Sequence, residues 1–199
     1  MRDEGKKARK SEYPIGDLFL NRWSPRAMAS ESLDDEDVFA LFEAAKWAPS
    51  SYNNQPWRFI VARTEKDRKV FINLMGAFNQ QWAGKAPVLI VVLAKKTFDH
   101  NNKPAATAMF DAGAAWENLA LEGTRRGLVV HAMEGFDYEK TRKELGVPDD
   151  YAVCCMVAIG KPGKKEDLPK EMQEREKPSE RKPLKELLFE GKFGKKLLE

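Results

Sequence analysis

Four short apolar runs punctuate the chain: Trp57 to Ala62, Pro87 to Ala94, Gly127 to Ala132 and Tyr151 to Ile159. Runs of this length bounded by turn-forming residues predict β-strands. The second contains no polar side chain, which predicts a strand buried on both faces. Between the second and third runs, Ala105 to Arg126 reads as one long helix. It is crowded with Ala108, Ala112, Gly113, Ala114, Ala115, Ala120 and Gly123, small residues that let another backbone come close. This predicts a central helix and a place for it at a subunit interface.

Two earlier segments have helical periodicity. In Tyr13 to Trp23 the apolar residues Ile15, Leu18, Phe19 and Trp23 recur at helical spacing, and the pattern breaks at Arg22-Trp23-Ser24-Pro25. A second helix is announced by Ser32 with Asp35 three residues on, the spacing of a capping box, and by acidic residues at 34 to 37 that suit a positive helix terminus. Val38, Leu41, Phe42 and Ala45 give its buried face, and it stops before Pro49.

The ends differ from the middle. Residues 1 to 10 carry five Lys or Arg and almost nothing apolar, which predicts a solvated tail or a fraying helix start. After Ile159 comes a charged, proline-punctuated connector, too polar to form a core of its own. Leu184, Leu187, Leu188 and Phe189 then need burial, and an apolar arm after a solvated connector fits packing across a partner subunit. With 199 residues the chain makes one domain: a charged tail over 1–11, a core over 12–160, and a connector and arm over 161–199 that belong to it.

Composition narrows the functional classes. Lys plus Arg number 34 against 31 acidic residues, and a net charge of +3 demands no polyanionic partner, so no nucleic acid is expected. No apolar run approaches the roughly 20 residues needed to cross a bilayer, and the first ten residues lack the core of a signal peptide, so the expectation is a cytoplasmic protein with no membrane contact. The two cysteines, Cys154 and Cys155, are adjacent in a strand, where alternation sends successive side chains to opposite faces; buried free thiols are expected, and no metal site. His100 lies in a polar loop and His131 closes a strand, and no HExxH, GxSxG, Cys-x-x-Cys, P-loop or GxGxxG pattern occurs.

Three segments remain that are rich in groups able to bind anions or flat heterocycles, and a chain without a redox group of its own would need a cofactor. Arg22-Trp23-Ser24-Pro25-Arg26 offers two guanidinium forks and a hydroxyl within five residues. Ala48-Pro49-Ser50-Ser51-Tyr52-Asn53-Asn54-Gln55-Pro56-Trp57 is a proline-bounded loop dense in short hydrogen-bonding side chains. Met133-Glu134-Gly135-Phe136 follows a strand, with a glycine that lets the main-chain N–H approach a flat ligand.

Together these segments resemble the nitroreductase family, with its Arg-x-Ser-x-Arg/Lys motif, its Ala-Pro-Ser-Ser-x-Asn-x-Gln-Pro-Trp loop and its Glu-Gly pair after a central strand. The resemblance runs from Asn21 to Lys161, with a further match at Arg181-Lys182-Pro183-Leu184. It implies an α+β fold: a central, mostly antiparallel sheet flanked by helices, with a C-terminal arm extending over the partner subunit. It also implies a homodimer with FMN sites at the subunit interface.

Residue by residue, the resemblance implies that Arg22 and Ser24, with Trp23 between them, hold the FMN phosphate, and that Arg181 and Lys182 complete that site. It sets Arg26 beside the pyrimidine edge of the flavin, where a cation stabilises the charge that reduction leaves there. Pro49, Ser50, Ser51 and Asn53 match positions that reach the flavin of the neighbouring subunit. Asn79 matches an asparagine at the pyrimidine edge, although Trp82 stands where several members have lysine. Glu134 and Gly135 match the pair whose backbone faces flavin N5. Arg26, Glu134 and Gly135 thus become the catalytic candidates.

The implied activity is ping-pong reduction of small acceptors such as nitroaromatics or quinones, with NADH or NADPH as donor. Two alternatives stay open: another flavin reaction of the superfamily, such as dehalogenation, dehydrogenation or flavin breakdown, and a non-enzymatic flavin-binding module. The Glu-Tyr-Lys clamp of iodotyrosine deiodinases has no match near Gln81-Trp82.

Overall fold

A computed structural model describes residues 4–198. The ends of the predicted tail and arm, residues 1–3 and 199, lie outside the described residues. In chain order the elements are α1 (Glu4–Ala8), α2 (Asp17–Asn21), α3 (Asp35–Lys46), β1 (Trp57–Ala62), α4 (Glu65–Leu74), α5 (Ala77–Ala83), β2 (Val88–Lys95), α6 (Ala108–Arg125), β3 (Val129–Met133), α7 (Tyr138–Glu144), β4 (Tyr151–Gly160) and α8 (Lys170–Gln173).

The strands form one antiparallel sheet in the order β1-β2-β4-β3. Period-2 alternation along β2 feeds two separate cores. Leu89, Val91 and Leu93 join Phe71 and Leu74 of α4, Trp82 of α5, and Met156 and Ala158 of β4. Val88, Ile90, Val92 and Ala94 face the other way, to Leu41 of α3 and Leu119 of α6. The apolar run needs no polar face because helices cover both sides, and the α+β architecture implied by the sequence holds.

The small residues of α6 serve this sheet. A Cβ on Gly123 would lie 2.4 Å from Cγ2 of Val130, so glycine lets α6 settle onto β3. Ala108, Ala112, Ala115 and Ala120 are buried against the same chain, whereas Met109 and Phe110 are exposed.

Several local expectations change. The helix after Asp34 is not opened by Ser32: its N-cap is Asp34, which makes no side-chain cap bond. Its start is instead pinned by Leu33 before the cap and Val38 in the first turn, both buried in one cluster, as in a hydrophobic staple. The helix expected over Tyr13 to Trp23 shrinks to five residues behind Gly16, and Ile15 and Phe19 are exposed. Cys154 and Cys155 do not point to opposite faces. A register shift pairs Val92 with Cys155 and Leu93 with Val153, so Cys154 is an extra residue and both thiols pack on the α3/α6 side. Both are free and only partly buried, and burial pushes their pKa values up to about 11 and about 12.

The connector is more than solvated chain, since Leu168 and Met172 are buried in the first core. The N-terminal segment is also anchored. A Cβ on Gly5 would lie 2.1 Å from the Leu20 carbonyl, so α1 rests directly on α2. Arg9, buried, donates from Nη1 to the carbonyls of Leu20 (2.9 Å) and Arg22 (2.8 Å) and from Nε to that of Ser179 (2.9 Å). One guanidinium thus ties the N-terminus, the Arg22 segment and the connector together. Arg9→Ala should cost about 1.5–3 kcal/mol, because three carbonyls lose a charged donor. An unchanged urea midpoint for the variant would show that the tie carries no stability.

Candidate functional site

The chain leaves α2 at Arg22 in extended conformation, and the Pro25 carbonyl lies 2.8 Å from Nδ1 of His131 in β3. Arg22 donates from Nη1 to Oγ of Ser24 at 3.3 Å, and its Nε lies 3.8 Å from Oε1 of Glu117 on α6. Desolvation lowers the Arg22 pKa first; Glu117 opposes that and the charge of Arg181 adds to it. Arg181 and Arg22 likewise depress Arg9 once burial has done so, and burial raises the Glu117 carboxyl. Three guanidiniums therefore converge, with the carboxylates of Glu117 and Glu180 acting on them, and the excess of positive charge suits a bound anion. Arg181 is exposed and bonded to the Ser179 side chain, and Lys182 is exposed beside it. Trp23 turns elsewhere: it lines a cavity of about 560 Å³ with Pro25, Ala27, Pro162 and Gly163.

Arg26 is held by its backbone. Its N–H and that of Ala27 both donate to Oε1 of Glu176, at 2.7 and 2.8 Å. Its side chain has no ion pair or hydrogen bond to any described residue: Nε is buried without a partner, and the guanidinium carbon sits 5.9 Å from the ring centroid of Phe78 in α5. A cation this poorly compensated is suited to a ligand that carries charge.

Glu134 and Gly135 follow β3. The Gly135 carbonyl accepts from the Gly76 N–H at 2.9 Å and from Nδ2 of Asn79 at 2.9 Å. The residue is exposed, and its own N–H donates to no described residue. A Cβ at Gly135 would lie 2.7 Å from that Asn79 nitrogen, so glycine is required here for the asparagine to approach. The structure thus brings Arg26, Asn79 and Gly135 together around α5, and Arg22, Ser24 and Arg181 at the neighbouring cluster.

The loop from Pro49 to Gln55 is not among them. Its Ser51 N–H donates to Oδ2 of Asp111 at the start of α6, and Ser50 Oγ accepts from the Gln55 N–H. Asn54 bonds the Thr97 carbonyl and the Asp99 N–H. Tyr52, Asn53 and Gln55 all have positive φ, a conformation that side chains resist. The loop sits at the β1 end of the sheet and the Arg22 segment at the β3 end. Both touch α6, at Asp111 and Glu117, six residues or about 9 Å apart along its axis.

Sequence reasoning missed Arg9, Glu117 and Glu176, which act through main-chain or long-range bonds. It also missed the pairing of Trp82 with His131, whose ring centroids lie 4.4 Å apart.

The model of the nitroreductase family matches residues 20–76 and 66–161. A solved structure described as an oxidoreductase containing FMN is 41% identical, with a TM-score of 0.89 over 94% of this chain and 96% of that one. A Desulfovibrio desulfuricans structure in complex with FMN is 26% identical, with a TM-score of 0.72 over 92% and 99%. An NADH dehydrogenase of Thermus thermophilus is 29% identical over 176 residues, spanning 72% of this chain and 84% of the relative. With its fold, its motif segments and these matches in agreement, the chain belongs to the nitroreductase family.

Proposed function

We propose that the protein is an FMN-dependent oxidoreductase that uses NADH or NADPH to reduce small acceptors such as nitroaromatics or quinones. The observation that carries this is the uncompensated Arg26 cation beside the donors of Asn79 and Gly135, one segment away from the Arg9, Arg22 and Arg181 cluster. The names of the FMN-containing structural relatives and of the Thermus enzyme support the same reading.

Arg22, Ser24, Arg181 and Lys182 would hold the phosphate, and Arg26 and Asn79 the pyrimidine edge. When bound, FMN supplies two-electron transfer between donor and acceptor. The chain contributes positioning and electrostatics: Arg26 favours negative charge at the ring edge, and the Gly135 N–H offers a main-chain donor with no side chain in the way. A nicotinamide and an acceptor of similar flatness would take turns at one face, in ping-pong order.

The Pro49 to Asn53 loop would complete the site of a second copy, since in its own chain it is bonded at the other end of the sheet. Exposed apolar residues on α6 and on the arm, among them Phe110, Leu187 and Phe193, agree with a homodimer. Among the described residues no helix is long and apolar enough to cross a membrane, and a cytoplasmic site of action is part of this reading.

The test is reconstitution followed by nicotinamide oxidation with menadione as acceptor. FMN rather than FAD should be retained, light scattering should give two chains, and double-reciprocal plots at several acceptor concentrations should be parallel. A chain that holds no flavin, or that holds FMN but oxidises neither nicotinamide, overturns the proposal.

A further inference from the structure

The short helix α5 touches every part of the ring-edge corner. Phe78 lies under the Arg26 guanidinium, Asn79 bonds Gly135, and Trp82, 1% exposed, reaches inward from the same helix. Trp82 Nε1 donates to Oδ1 of Asn79 at 3.1 Å. The Trp82 ring also lies on the ring of His131, with centroids 4.4 Å apart and planes at 39°. Nδ1 of His131 lies 2.8 Å from the carbonyl of Pro25, the residue before Arg26.

Donor and acceptor roles along this chain of contacts are fixed by chemistry. An indole N–H only donates, so the Asn79 atom facing Trp82 must be the oxygen. A carbonyl only accepts, so the Asn79 atom facing Gly135 must be the NH2 group. The amide therefore cannot flip, and its second N–H remains as a donor. By the same rule Nδ1 of His131 carries the proton that it gives to Pro25. Burial pushes the His131 pKa down to about 4, so the ring stays neutral at neutral pH and adds no second cation beside Arg26.

We propose that Trp82 and His131 are positioning residues: through their tilted ring contact they fix the polarity of the Asn79 amide on one side and the backbone that carries Arg26 on the other. Trp82 stands where several members of the family have lysine, and does a different job. It adds no charge; it makes its neighbour a dedicated donor. This rests on the flavin reading above, because Asn79 and Arg26 matter here as the ring-edge groups.

The experiment is a double-mutant cycle on the FMN-loaded protein with Trp82→Phe and Asn79→Ala. Phenylalanine keeps an aromatic ring against His131 and removes the indole N–H together with part of the ring volume, a loss common to both backgrounds that the cycle cancels. Three quantities are read: the rate of flavin reduction by the nicotinamide, the FMN dissociation constant, and the flavin midpoint potential. Trp82→Phe should slow reduction about fivefold to tenfold and lower the potential, with FMN affinity changed less than about threefold. In the Asn79→Ala background the same substitution should add almost nothing, because the group it acts through is gone.

An equal loss in both backgrounds, a loss confined to FMN affinity, or no loss at all overturns the proposal. Wild-type protein that binds no FMN or is not reduced sinks the flavin reading instead. Should Trp82→Phe fail to fold, His131→Phe against Arg26→Gln gives the same cycle on the other arm. There, additive effects on rate and potential overturn the proposal and non-additive ones support it.

Discussion

Arg22→Ala should raise the FMN dissociation constant by about one to two powers of ten, the size expected when a charge-assisted contact worth roughly 1.5–3 kcal/mol is lost. Two features push the effect to the upper end. Arg22 is largely buried, with its side chain 13% exposed, so its charge is poorly screened. Its removal also leaves the Glu117 carboxylate, 3.8 Å away, facing the bound anion without its cation. Arg26→Gln should behave differently. Its charge meets density that develops on reduction, so FMN should be retained while the midpoint potential falls and reduction by the nicotinamide slows. FMN titration and a redox titration on the two variants make the comparison. If Arg26→Gln loses FMN as readily as Arg22→Ala and keeps the wild-type potential in the remaining holoprotein, Arg26 does not act at the ring edge.

The second large effect is expected at Asp111. This carboxylate is 5% exposed and accepts from the Ser51 N–H at 3.1 Å and from Oγ1 of Thr107 at 3.2 Å. It anchors a loop in which Tyr52, Asn53 and Gln55 each hold a left-handed conformation that costs about 1–2 kcal/mol. Asp111→Ala removes the acceptor and orphans both donors, for a loss of about 1.5–3 kcal/mol, or roughly 3–12 °C in Tm for a chain of this length. Asp111→Asn keeps an oxygen in place and should retain most of that stability. Loop accessibility provides the second readout: limited proteolysis at Tyr52 should accelerate in the alanine variant alone. Equal melting and equal cleavage for both variants would show that Asp111 does not hold the loop.

Sheet and core were legible because their signal is local. Each of the four apolar runs became a strand within two residues of the expected ends, and α6 lies inside the stretch read as helical. The helices α4, α5 and α7 went unread. Their sequences, EKDRKVFINL, AFNQQWA and YEKTRKE, are short or polar, and in α4 only Phe71 and Leu74 are buried. Cap signals were nevertheless present: Thr64 accepts from the Asp67 N–H and Asp137 from the Lys140 N–H. At the site, the motif residues could be picked out because they lie close together in sequence. Their supports could not, since Arg9 reaches Ser179, Glu176 reaches Arg26 and His131 reaches Pro25 across 170, 150 and 106 residues. A register shift such as the one at Cys154 leaves no mark in an apolar run, which is why alternation failed there.

The strand order has a consequence for synthesis of the chain. β2 is complete at Lys95, but the neighbour that closes its second edge begins at Tyr151. At translation rates of about 5–20 residues per second, that edge stays unpaired for several seconds after it is made. The segment left open is Val88 to Ala94, seven apolar residues without a charge or a proline, the composition that favours strand addition between nascent chains. β1, already synthesised, can occupy one edge and leave the other as a template. The same residues that unite the two cores of the finished molecule are thus the ones open to strand addition while the chain is being made.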